Sequence, residues 1–224
     1  MAPKTEDLGK IFEMAVCLVY GIPYIGKYKY GMDAPNKLVP RISQLPTLFP
    51  PCSHTAKRGA RYDFTSDNGH LSAKTTKGGA KIAPQVIGQS QPKKFCEIIG
   101  VNFTDVTELK KHIQLHIQTI LPTLVDFTFD CPIVYYNAKK DLIKFIKLAV
   151  PIDWESHKYS WSCDWPEWNN SSTVKIDVNG VAVPLVEFQF HSKSRTNMAI
   201  RWCFENFLEA FARHLDVTVL GIEK

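Results

Sequence analysis

The sequence predicts a mixed α/β or α+β fold, because segments with helical periodicity precede, separate and follow segments with strand character. Two observations support the strands: the dipeptides Asn68-Gly69 and Asn179-Gly180 each lie between β-prone runs, and Asn-Gly is a preferred two-residue hairpin turn. A third supports a packed core, since 224 residues with 45% apolar and 22% charged content suit one globular domain. We therefore expect residues 1–224 to form a single domain.

The N-terminal half begins with a predicted helix over residues 5 to 20, starting near Thr5. Its expected buried side carries Leu8, Ile11, Phe12, Ala15 and Val19. Residues 21 to 58 are rich in Gly, Pro and Tyr, which predicts a long connection with short pieces of structure. A hairpin follows over 59 to 79, and a further helix is expected to open at Pro84 and cover 84 to 99.

The C-terminal half should contain a stronger helix over 104 to 121, where Leu109, Ile113, Ile117 and Leu121 recur every four residues. Strands are expected over about 125 to 136, and 141 to 150 fits either type. Residues 154 to 172 predict an ordered aromatic loop, followed by the second hairpin. A last helix over about 197 to 214 would bury Ile200, Phe204, Phe207, Leu208 and Phe211.

Charge, hydropathy and cysteine content indicate the kind of partner and the cellular compartment to expect. The net charge of +5 and the pI of about 8.8 suit a polyanionic partner. No apolar run approaches the roughly 20 residues that a membrane helix requires, and the N-terminus lacks the layout of a signal peptide. The six cysteines contain no CxxC pair, so reduced thiols and a cytoplasmic location are expected.

The first hairpin directs polar side chains to one face. With Asn68 and Gly69 as the loop, Asp67 would pair with His70, Thr65 with Ser72, and Asp63 with Lys74. Because side chains alternate along a strand, one face would carry Asp63, Thr65, Ser72 and Lys74. The other face would carry Tyr62, Phe64, Leu71 and Ala73, and would pack on a core.

An acid and a lysine side by side above a buried floor support two interpretations. The Asp63 carboxylate could bind a divalent metal while Lys74 faces a water or a phosphate oxygen. Alternatively, the two residues form a surface salt bridge worth about 0–1 kcal/mol. The residues that follow favour the first interpretation, because Thr75, Thr76, Lys77 and Lys81 supply donors for a phosphate-rich ligand. Gln85 and Gln89 follow at helical spacing, so they are expected to share a helix face beside the same site.

Asp63 followed by Ser72-Ala73-Lys74 resembles the PD-(D/E)XK nuclease motif, in the variant with Ser in place of the second acid. The resemblance is to restriction endonucleases of that superfamily and covers about residues 5 to 95. It implies Mg²⁺-dependent hydrolysis of double-stranded DNA on a mixed central sheet flanked by helices, by an enzyme that acts as a homodimer. It also implies a helix glutamate at the metal, and Glu13 matches, with Glu97 a weaker candidate. Tyr62 stands where the family has Pro.

A rival for the same motif lies in the second hairpin, where Asp177 precedes Glu187-Phe188-Gln189. With Asn179-Gly180 as the loop, Asp177 pairs with Ala182, which places Glu187 and Gln189 on the opposite face. A one-residue bulge, which Pro184 could cause, would be needed to unite the three side chains. The first hairpin requires no such repair, so Asp63 and Lys74 are preferred.

The residues Glu187, Gln189 and His191 form a polar row at period two. Gln can pair bidentately with adenine, Glu can accept from cytosine, and Arg195 or Lys193 could contact guanine or phosphate. Arg201 brings charge to the same end. The row is therefore interpreted as a DNA-reading strand, against the alternative of a half-exposed edge strand with a basic loop.

Three further patterns carry less weight. The run GIPYIG at 21 to 26 lacks the two separated halves of a GIY-YIG nuclease. His112 and His116 lie four apart without a third ligand nearby, which favours a solvated helix face over a metal site. The tryptophans of 154 to 168 could stack on bases, but closure over the core is the more usual role.

Together with the resemblance, the residues predict a single α/β domain that is a Mg²⁺-dependent, sequence-specific DNA endonuclease of the type II restriction class. In it Asp63 and Glu13 would hold the metal, Lys74 would act on the water or the phosphate, and Ser72 would neighbour the site. Two alternatives remain: a non-catalytic nucleic-acid-binding protein, and a repair or junction nuclease of the same superfamily.

Overall fold

The structure of the chain is a computed structural model that describes residues 5–50, 53–56, 60–79, 81–191 and 198–221. It divides into two compact units. The first consists of Met1–Ala80, Cys131–Ala149 and Leu215–Lys224, and the second of Lys81–Asp130 and Val150–His214. The mixed α/β class is confirmed, because each unit combines one β-sheet with helices.

The helices of the described residues are α1 (Thr5–Tyr20), α2 (Asp33–Leu38), α3 (Leu45–Leu48), α4 (Pro92–Ile98), α5 (Val106–Leu115), α6 (Ile117–Phe129) and α7 (Phe204–Ala210), with 3₁₀ turns at Pro40–Ile42 and Ala212–His214.

The strands of the described residues are β1 (Ser53–His54), β2 (Phe64–Ser66), β3 (Gly69–Thr76), β4 (Lys81–Ile82), β5 (Gln89–Ser90), β6 (Ile133–Asn137), β7 (Leu142–Leu148), β8 (Tyr159–Trp161), β9 (Ser171–Val178), β10 (Val181–Phe190), β11 (Met198–Cys203) and β12 (Leu215–Leu220).

The first unit contains a mixed sheet in the order β1-β2-β3-β6-β7-β12. Its neighbours are antiparallel except β3 and β6, which run parallel. The apolar side of α1 packs on one face of this sheet, where Phe12, Ala15, Phe64, Leu71 and Val134 share a core and are fully buried. The predicted helix over 5 to 20 is thus confirmed, and it presents its apolar side to the first hairpin.

The second unit contains an antiparallel sheet in the order β4-β11-β10-β9-β8, with β5 also paired to β11. The face that carries Val186, Phe188, Ile200 and Trp202 is fully buried. The opposite face carries polar side chains, since residues that pair directly across antiparallel strands share a face. The second hairpin turns on Asn179 and Gly180, both at positive φ, as predicted.

Two predicted helix boundaries are wrong. The helix expected from Pro84 begins at Pro92, because residues 85 to 88 form a turn and 89 to 90 pair with β11. The helix expected over 104 to 121 is two helices, because the backbone of His116 leaves the helical region at φ −121° and ψ 28°.

Two segments have the opposite type from the prediction over part of their length. Helix α6 continues to Phe129, where a strand was expected, and its buried residues Leu121, Leu124, Val125 and Thr128 follow helical spacing. Residues 198 to 203, expected to be helical, form β11. That strand lies between β10 and the pair β4 and β5, and its first three residues are buried at consecutive positions, which hides the period-two alternation of a strand.

Residues of the predicted last helix are buried as expected, since Ile200, Phe204, Phe207, Leu208 and Phe211 all lie in the core. Over 141 to 150 the undecided segment is the strand β7. Within the described ranges, no helix is long and apolar enough to cross a membrane. The described cysteines, at 17, 96, 131, 163 and 203, form no disulfide.

We predict that Thr128→Val destabilises the protein by about 1–3 kcal/mol, because a buried donor would lose its partner. Trp202 Nε1–H on β11 donates to Thr128 Oγ1 on α6 at 2.8 Å, and both side chains are buried. Valine keeps the shape and removes the acceptor. Chemical denaturation measures the change, with Thr128→Ser, which keeps the hydroxyl, as the control. Equal destabilisation by both variants would contradict the role of the hydrogen bond.

Candidate active site

The turn of the first hairpin is one residue earlier than predicted. Ser66 pairs with Gly69 and Phe64 with Leu71, so Asp67 and Asn68 form the loop. Gly69 instead opens β3 at φ +133°, a backbone conformation that favours glycine. The predicted pairing of Asp63 with Lys74 is therefore wrong, because Thr65 pairs with His70 and the continuing register would place Asp63 opposite Ser72.

The predicted faces survive this correction, because the pairing moves by two residues and the side-chain period is also two. Phe64 and Leu71 are fully buried in the core below α1, with Ala73 packed against them. Ser72 and Lys74 lie on the other face of β3. Tyr62 is an exception: its ring stacks on that of His70 at 3.8 Å, so it does not lie with Phe64 as predicted.

Asp63 lies just before β2, and its side chain supplies the acceptor that a longer β2 would have offered to β3. Strand β2 has three residues while β3 has eight, so the pairing with β2 ends before Ala73. The Ala73 N–H donates instead to Asp63 Oδ2 at 2.8 Å, and the Asp63 carbonyl accepts from the Thr55 N–H at 2.8 Å. One carboxylate oxygen is thus fixed to the strand that carries Lys74.

The surroundings of Asp63 disfavour its charge in the metal-free protein. Burial raises the pKa of the Asp63 carboxyl, and the negative charge of Glu13 raises it further. The charge of Lys74, the Ala73 N–H and the Ser72 hydroxyl act in the opposite direction without overcoming burial. A cation at this point would relieve both the desolvation and the repulsion.

Lys74 is close enough to lower the pKa of Asp63, yet no ion pair within 4.0 Å joins them among the described residues. The predicted alternative of a simple salt bridge is therefore not what the described side chains form. Ser72 is fully buried, and its hydroxyl makes no hydrogen bond of good geometry to a described residue.

Glu13 approaches the same carboxylate from α1. It lies on the margin of the helix side that packs on the sheet, its side chain is 18% exposed, and its charge acts on Asp63. The imidazole of His54 on β1 lies beside it, with Nε2 at 3.5 Å from Glu13 Oε2. The first unit thus brings together Glu13, Asp63, Ser72 and Lys74, which the sequence predicted as one site.

Asp63 and Glu13 are the two carboxylates whose charges act on each other at this point. Among the described residues, no group of three or more His, Cys, Asp or Glu could hold a metal ion. Asp63 and Glu13 nevertheless fit Mg²⁺, which commonly takes one or two carboxylates and completes its octahedral shell with waters and substrate phosphates. The weaker candidate Glu97 lies on α4 in the second unit.

The residues predicted to bind phosphate differ in their surroundings. Thr76 is buried, and its hydroxyl shares a hydrogen bond of 2.7 Å with Tyr135, so it is engaged within the sheet. Thr75 points to the α1 side, where its Oγ1 lies 3.8 Å from the Cβ position of Gly9. Lys77 follows β3 in the exposed turn over 77 to 79. Phosphate binding by these residues stays a prediction.

Gln85 and Gln89 do not share a helix face as predicted, since both precede α4. Gln85 is buried in a turn, and its backbone N–H donates to Phe127 O at 2.8 Å. Gln89 is exposed on β5 and pairs with Ala199 on β11. Lys81 on β4 forms an ion pair of 3.0 Å with Glu187.

The second hairpin contains the bulge that the rival motif would need. Pro184 pairs with Lys175 and Val186 with Val174, so Leu185 is the extra residue. The bulge brings Glu187 and Gln189 onto the face of Asp177, which corrects the predicted separation of faces. Asp177 and Glu187 nevertheless pair with Ala182 and Thr173, so they stand about 13 Å apart along the ladder.

The two acids of the rival motif, Glu187 and Asp177, already have partners in the structure. Glu187 contacts two cations, Lys81 at 3.0 Å and Arg201 at 3.3 Å, and its side chain is 15% exposed. The Asp177 carboxylate accepts from the Gly180 N–H at 2.9 Å and so supports the turn. The rival residues therefore do not converge on a common point.

Glu187 and Gln189 belong instead to a polar face of the second sheet. Directly paired residues form one row, Gln89–Ala199–Gln189–Ser171, and a second row, Arg201–Glu187–Thr173. Ala199 leaves space between the two amides, and Gln189 Oε1 is buried without a hydrogen-bond partner among the described residues. His191 follows β10 and is half-buried, while Lys193 and Arg195 lie outside the described residues.

Most tryptophans of residues 154 to 168 and the pair His112 and His116 differ in their exposure to solvent. Trp154 and Trp168 are buried at 6% and 2% exposure, in agreement with a role in the core, whereas Trp165 is 38% exposed. His112, which is half-buried on α5, and His116, which is exposed just after it, lie side by side with ring centroids 4.5 Å apart.

Sequence reasoning missed His54. It is fully buried, its ring stacks on Tyr24 at 4.5 Å, and its Nδ1 accepts from the Ile25 N–H at 2.8 Å. Tyr24 and Ile25 belong to GIPYIG, the run that resembled a different nuclease motif. No spacing in the sequence links His54 to Glu13, because they are brought together by the packing of β1 beside α1.

Comparison with known proteins gives one informative match. The chain is 39% identical over 221 residues to the type II restriction enzyme CviAII of Paramecium bursaria Chlorella virus 1. That alignment takes in 96% of this chain and 63% of the relative, so the chain spans less than two thirds of the relative's length. No protein-family model matches, and no solved structure matches.

We predict that Asp63→Asn does not destabilise the metal-free protein at pH 8 and raises its melting temperature in EDTA. Because the pKa of Asp63 is raised in the folded state, its ionisation disfavours folding as the pH rises above the usual range of an aspartate. Asparagine removes the charge and keeps an acceptor for the Ala73 N–H.

Thermal unfolding in EDTA between pH 4 and pH 8 measures this difference, which should shrink toward the acid end as the wild-type carboxyl becomes protonated. Asp67→Asn, in the exposed turn of the same hairpin, is the matched control. A lower melting temperature of Asp63→Asn at pH 8 would show that the charge is compensated in the metal-free state.

Proposed function

We propose that the chain is a Mg²⁺-dependent, sequence-specific endonuclease that hydrolyses phosphodiester bonds of double-stranded DNA, as a type II restriction enzyme does. One observation carries the proposal: a desolvated Asp63 carboxylate lies within the electrostatic reach of Glu13 and Lys74 and is paired with neither. A buried ionisable group whose pKa is perturbed, with charged groups nearby, is a mark of functional sites.

The similarity to CviAII supports the same reaction class, since that relative is named a type II restriction enzyme and is 39% identical. The mixed sheet with α1 on one face agrees with what the PD-(D/E)XK resemblance implies. We accordingly infer membership of that superfamily in the variant with Ser72 in place of the second acid. We further propose that residues 1–224 form one nuclease domain and that it acts in the cytoplasm.

The site's own groups would divide the chemistry among them. Asp63 and Glu13 would hold Mg²⁺ through carboxylate oxygens, and Asp63 would do so through the oxygen that does not accept from Ala73. When bound, the metal lowers the pKa of a water and neutralises charge on the phosphate. Lys74 would hold the attacking water or stabilise the charge on the scissile phosphate. Ser72 would orient a water or a carboxylate oxygen beside them.

The polar face of the second sheet would read the bases. Gln89 and Gln189 flank Ala199, and the exposed amide of Gln89 can pair bidentately with adenine. Gln189 would do so once its buried Oε1 turns outward. Arg201 and Lys81 bracket Glu187 and orient its carboxylate. Lys77, His191, Lys193 and Arg195 would contribute donors for the phosphate backbone. A homodimer acting on a two-fold site, as the resemblance implies, stays a prediction.

We predict that Asp63→Ala and Lys74→Ala each lower the rate of DNA cleavage by at least about 10²-fold, since each would remove a group from the reacting phosphate. The substrate is a long, sequence-diverse linear duplex, incubated with Mg²⁺ or with EDTA. Discrete bands should form only with Mg²⁺ and only with the wild-type protein. Asp67→Ala and Lys139→Ala, which remove an exposed acid and an exposed lysine from the same unit, should cut normally.

The other outcomes assign the chain to a different class. Cleavage that survives both variants but fails in Glu187→Ala would move the site to the second hairpin. Binding without cleavage, unaffected by EDTA, would identify a non-catalytic DNA-binding protein, in which Asp63→Ala would not weaken binding. Cutting of branched DNA at no fixed sequence would identify a repair or junction nuclease.

We predict that Gln189→Ala changes which sequences are cut more than it lowers the rate of cutting, because it would remove a base contact and leave the metal site intact. Sequencing of the fragment ends measures the range of sites, and each lost base contact should relax discrimination by about 1–3 kcal/mol. Gln118→Ala on the exposed side of α6 is the control. Unchanged ends with slower cutting would contradict a role in recognition.

A further inference from the structure

His54 is a buried imidazole directed at a proposed metal ligand. It lies on β1 next to β2 and is fully buried between the rings of Tyr24 and Phe64, with centroids at 4.5 Å and 5.1 Å. Its Nε2 is 3.5 Å from Glu13 Oε2 and makes no hydrogen bond of good geometry to a described residue. A buried, unpaired ring nitrogen is costly unless it has a function or a partner that can close on it.

The backbone determines which tautomer the ring adopts. The Ile25 N–H donates to His54 Nδ1 at 2.8 Å, so Nδ1 acts as an acceptor and carries no proton. A neutral imidazole then carries its proton on Nε2, the nitrogen beside Glu13. The ring therefore presents an N–H on the side of Glu13 Oε2.

The surrounding segment keeps the ring in this orientation. Tyr24 stacks on the imidazole, and Tyr30 OH donates to Asp7 Oδ1 on α1 at 2.6 Å, which ties the segment after α1 back onto that helix. Burial, with the charge of Glu13 adding to it, raises the pKa of Tyr24 to about 12. Tyr24 thus stays neutral and adds no negative charge beside Glu13.

We propose that His54 is a positioning residue that donates its Nε2–H to Glu13 Oε2 and so directs Glu13 Oε1 toward the divalent metal. The proposal rests on the proposed function, because it assigns His54 a task at the same site. Carboxylates that bind metals are themselves held by hydrogen bonds, and loss of such a partner commonly weakens metal binding by about 10–100-fold.

Two variants separate the two ring nitrogens. Asparagine at position 54 can accept from the Ile25 N–H but cannot reach Glu13, whereas glutamine can donate to Glu13 but cannot accept from Ile25. We expect His54→Asn to weaken metal binding by at least about tenfold, and His54→Gln to stay within about threefold of wild type. A purely structural histidine would show the opposite order or no difference.

The measurement is a titration of Mn²⁺, a spectroscopic substitute for Mg²⁺, followed by the loss of the free-ion EPR signal. The wild type, His54→Asn, His54→Gln and Glu13→Gln are titrated without DNA, and the Mg²⁺ dependence of DNA cleavage is measured alongside. In Glu13→Gln the proposed acceptor charge is absent, so adding His54→Asn should cause little further loss. Equal Mn²⁺ affinity in wild type and His54→Asn would overturn the proposal.

A second measurement on the wild-type protein decides the matter even if neither variant folds. NMR of the metal-free protein labelled with ¹⁵N-histidine identifies which ring nitrogen of His54 carries the proton. A proton on Nε2 is expected, and a neutral ring protonated on Nδ1 would overturn the proposal. Failure of the proposed function is distinguishable, because the wild type would then neither cut DNA nor bind Mn²⁺ in a way that Asp63→Ala abolishes.

Discussion

The candidate site depends on the hydrogen bond from the Ala73 N–H to the Asp63 carboxylate. Strand β2 stops short of Ala73 while β3 continues, so on the β2 side the Ala73 N–H has no strand partner. A buried donor of this kind requires a partner, and the Asp63 side chain supplies it. This hydrogen bond orients the buried Asp63 carboxylate and holds it beside Ala73, the residue that precedes Lys74 in β3. The position of Glu13 follows from the same sheet, because α1 packs on the apolar face of the hairpin that carries Asp63.

The two hairpins differ in how their charges are compensated, and this difference separates their proposed tasks. Glu187 has two cations within 3.3 Å, so its charge is already balanced and a further cation would gain little there. Asp63 has a second acid and a lysine within electrostatic reach and is paired with neither. The first hairpin thus holds a buried acid whose desolvation and repulsion by a second acid a divalent metal would relieve. The second presents a balanced polar face suited to hydrogen bonding with bases.

The sequence was informative about faces and less informative about lengths. The hairpin faces were predicted correctly even though the turn was misplaced, because the error in pairing was an even number of residues. Tyr62 and Asp63 lie beyond the regular ladder, so alternation could not describe them. Gln85 and Gln89 were assigned to a helix that begins later, at Pro92. The bulge at Leu185 was anticipated as a condition for the rival motif but not as a fact, since Pro184 permits a bulge without requiring one.

By itself the sequence determined which side chains share a surface: the apolar side of α1, the polar face of Ser72 and Lys74, and the row of Glu187 and Gln189. These properties follow from periods of two and 3.6 residues, which are local. The tertiary structure alone decided where β2 ends, which groups Asp63 and Glu187 contact, and that His54 lies against Glu13. Those features depend on contacts between residues far apart in the chain, such as Ile25 with His54, and backbone donors left unpaired by one strand are satisfied by whichever side chain the fold brings near.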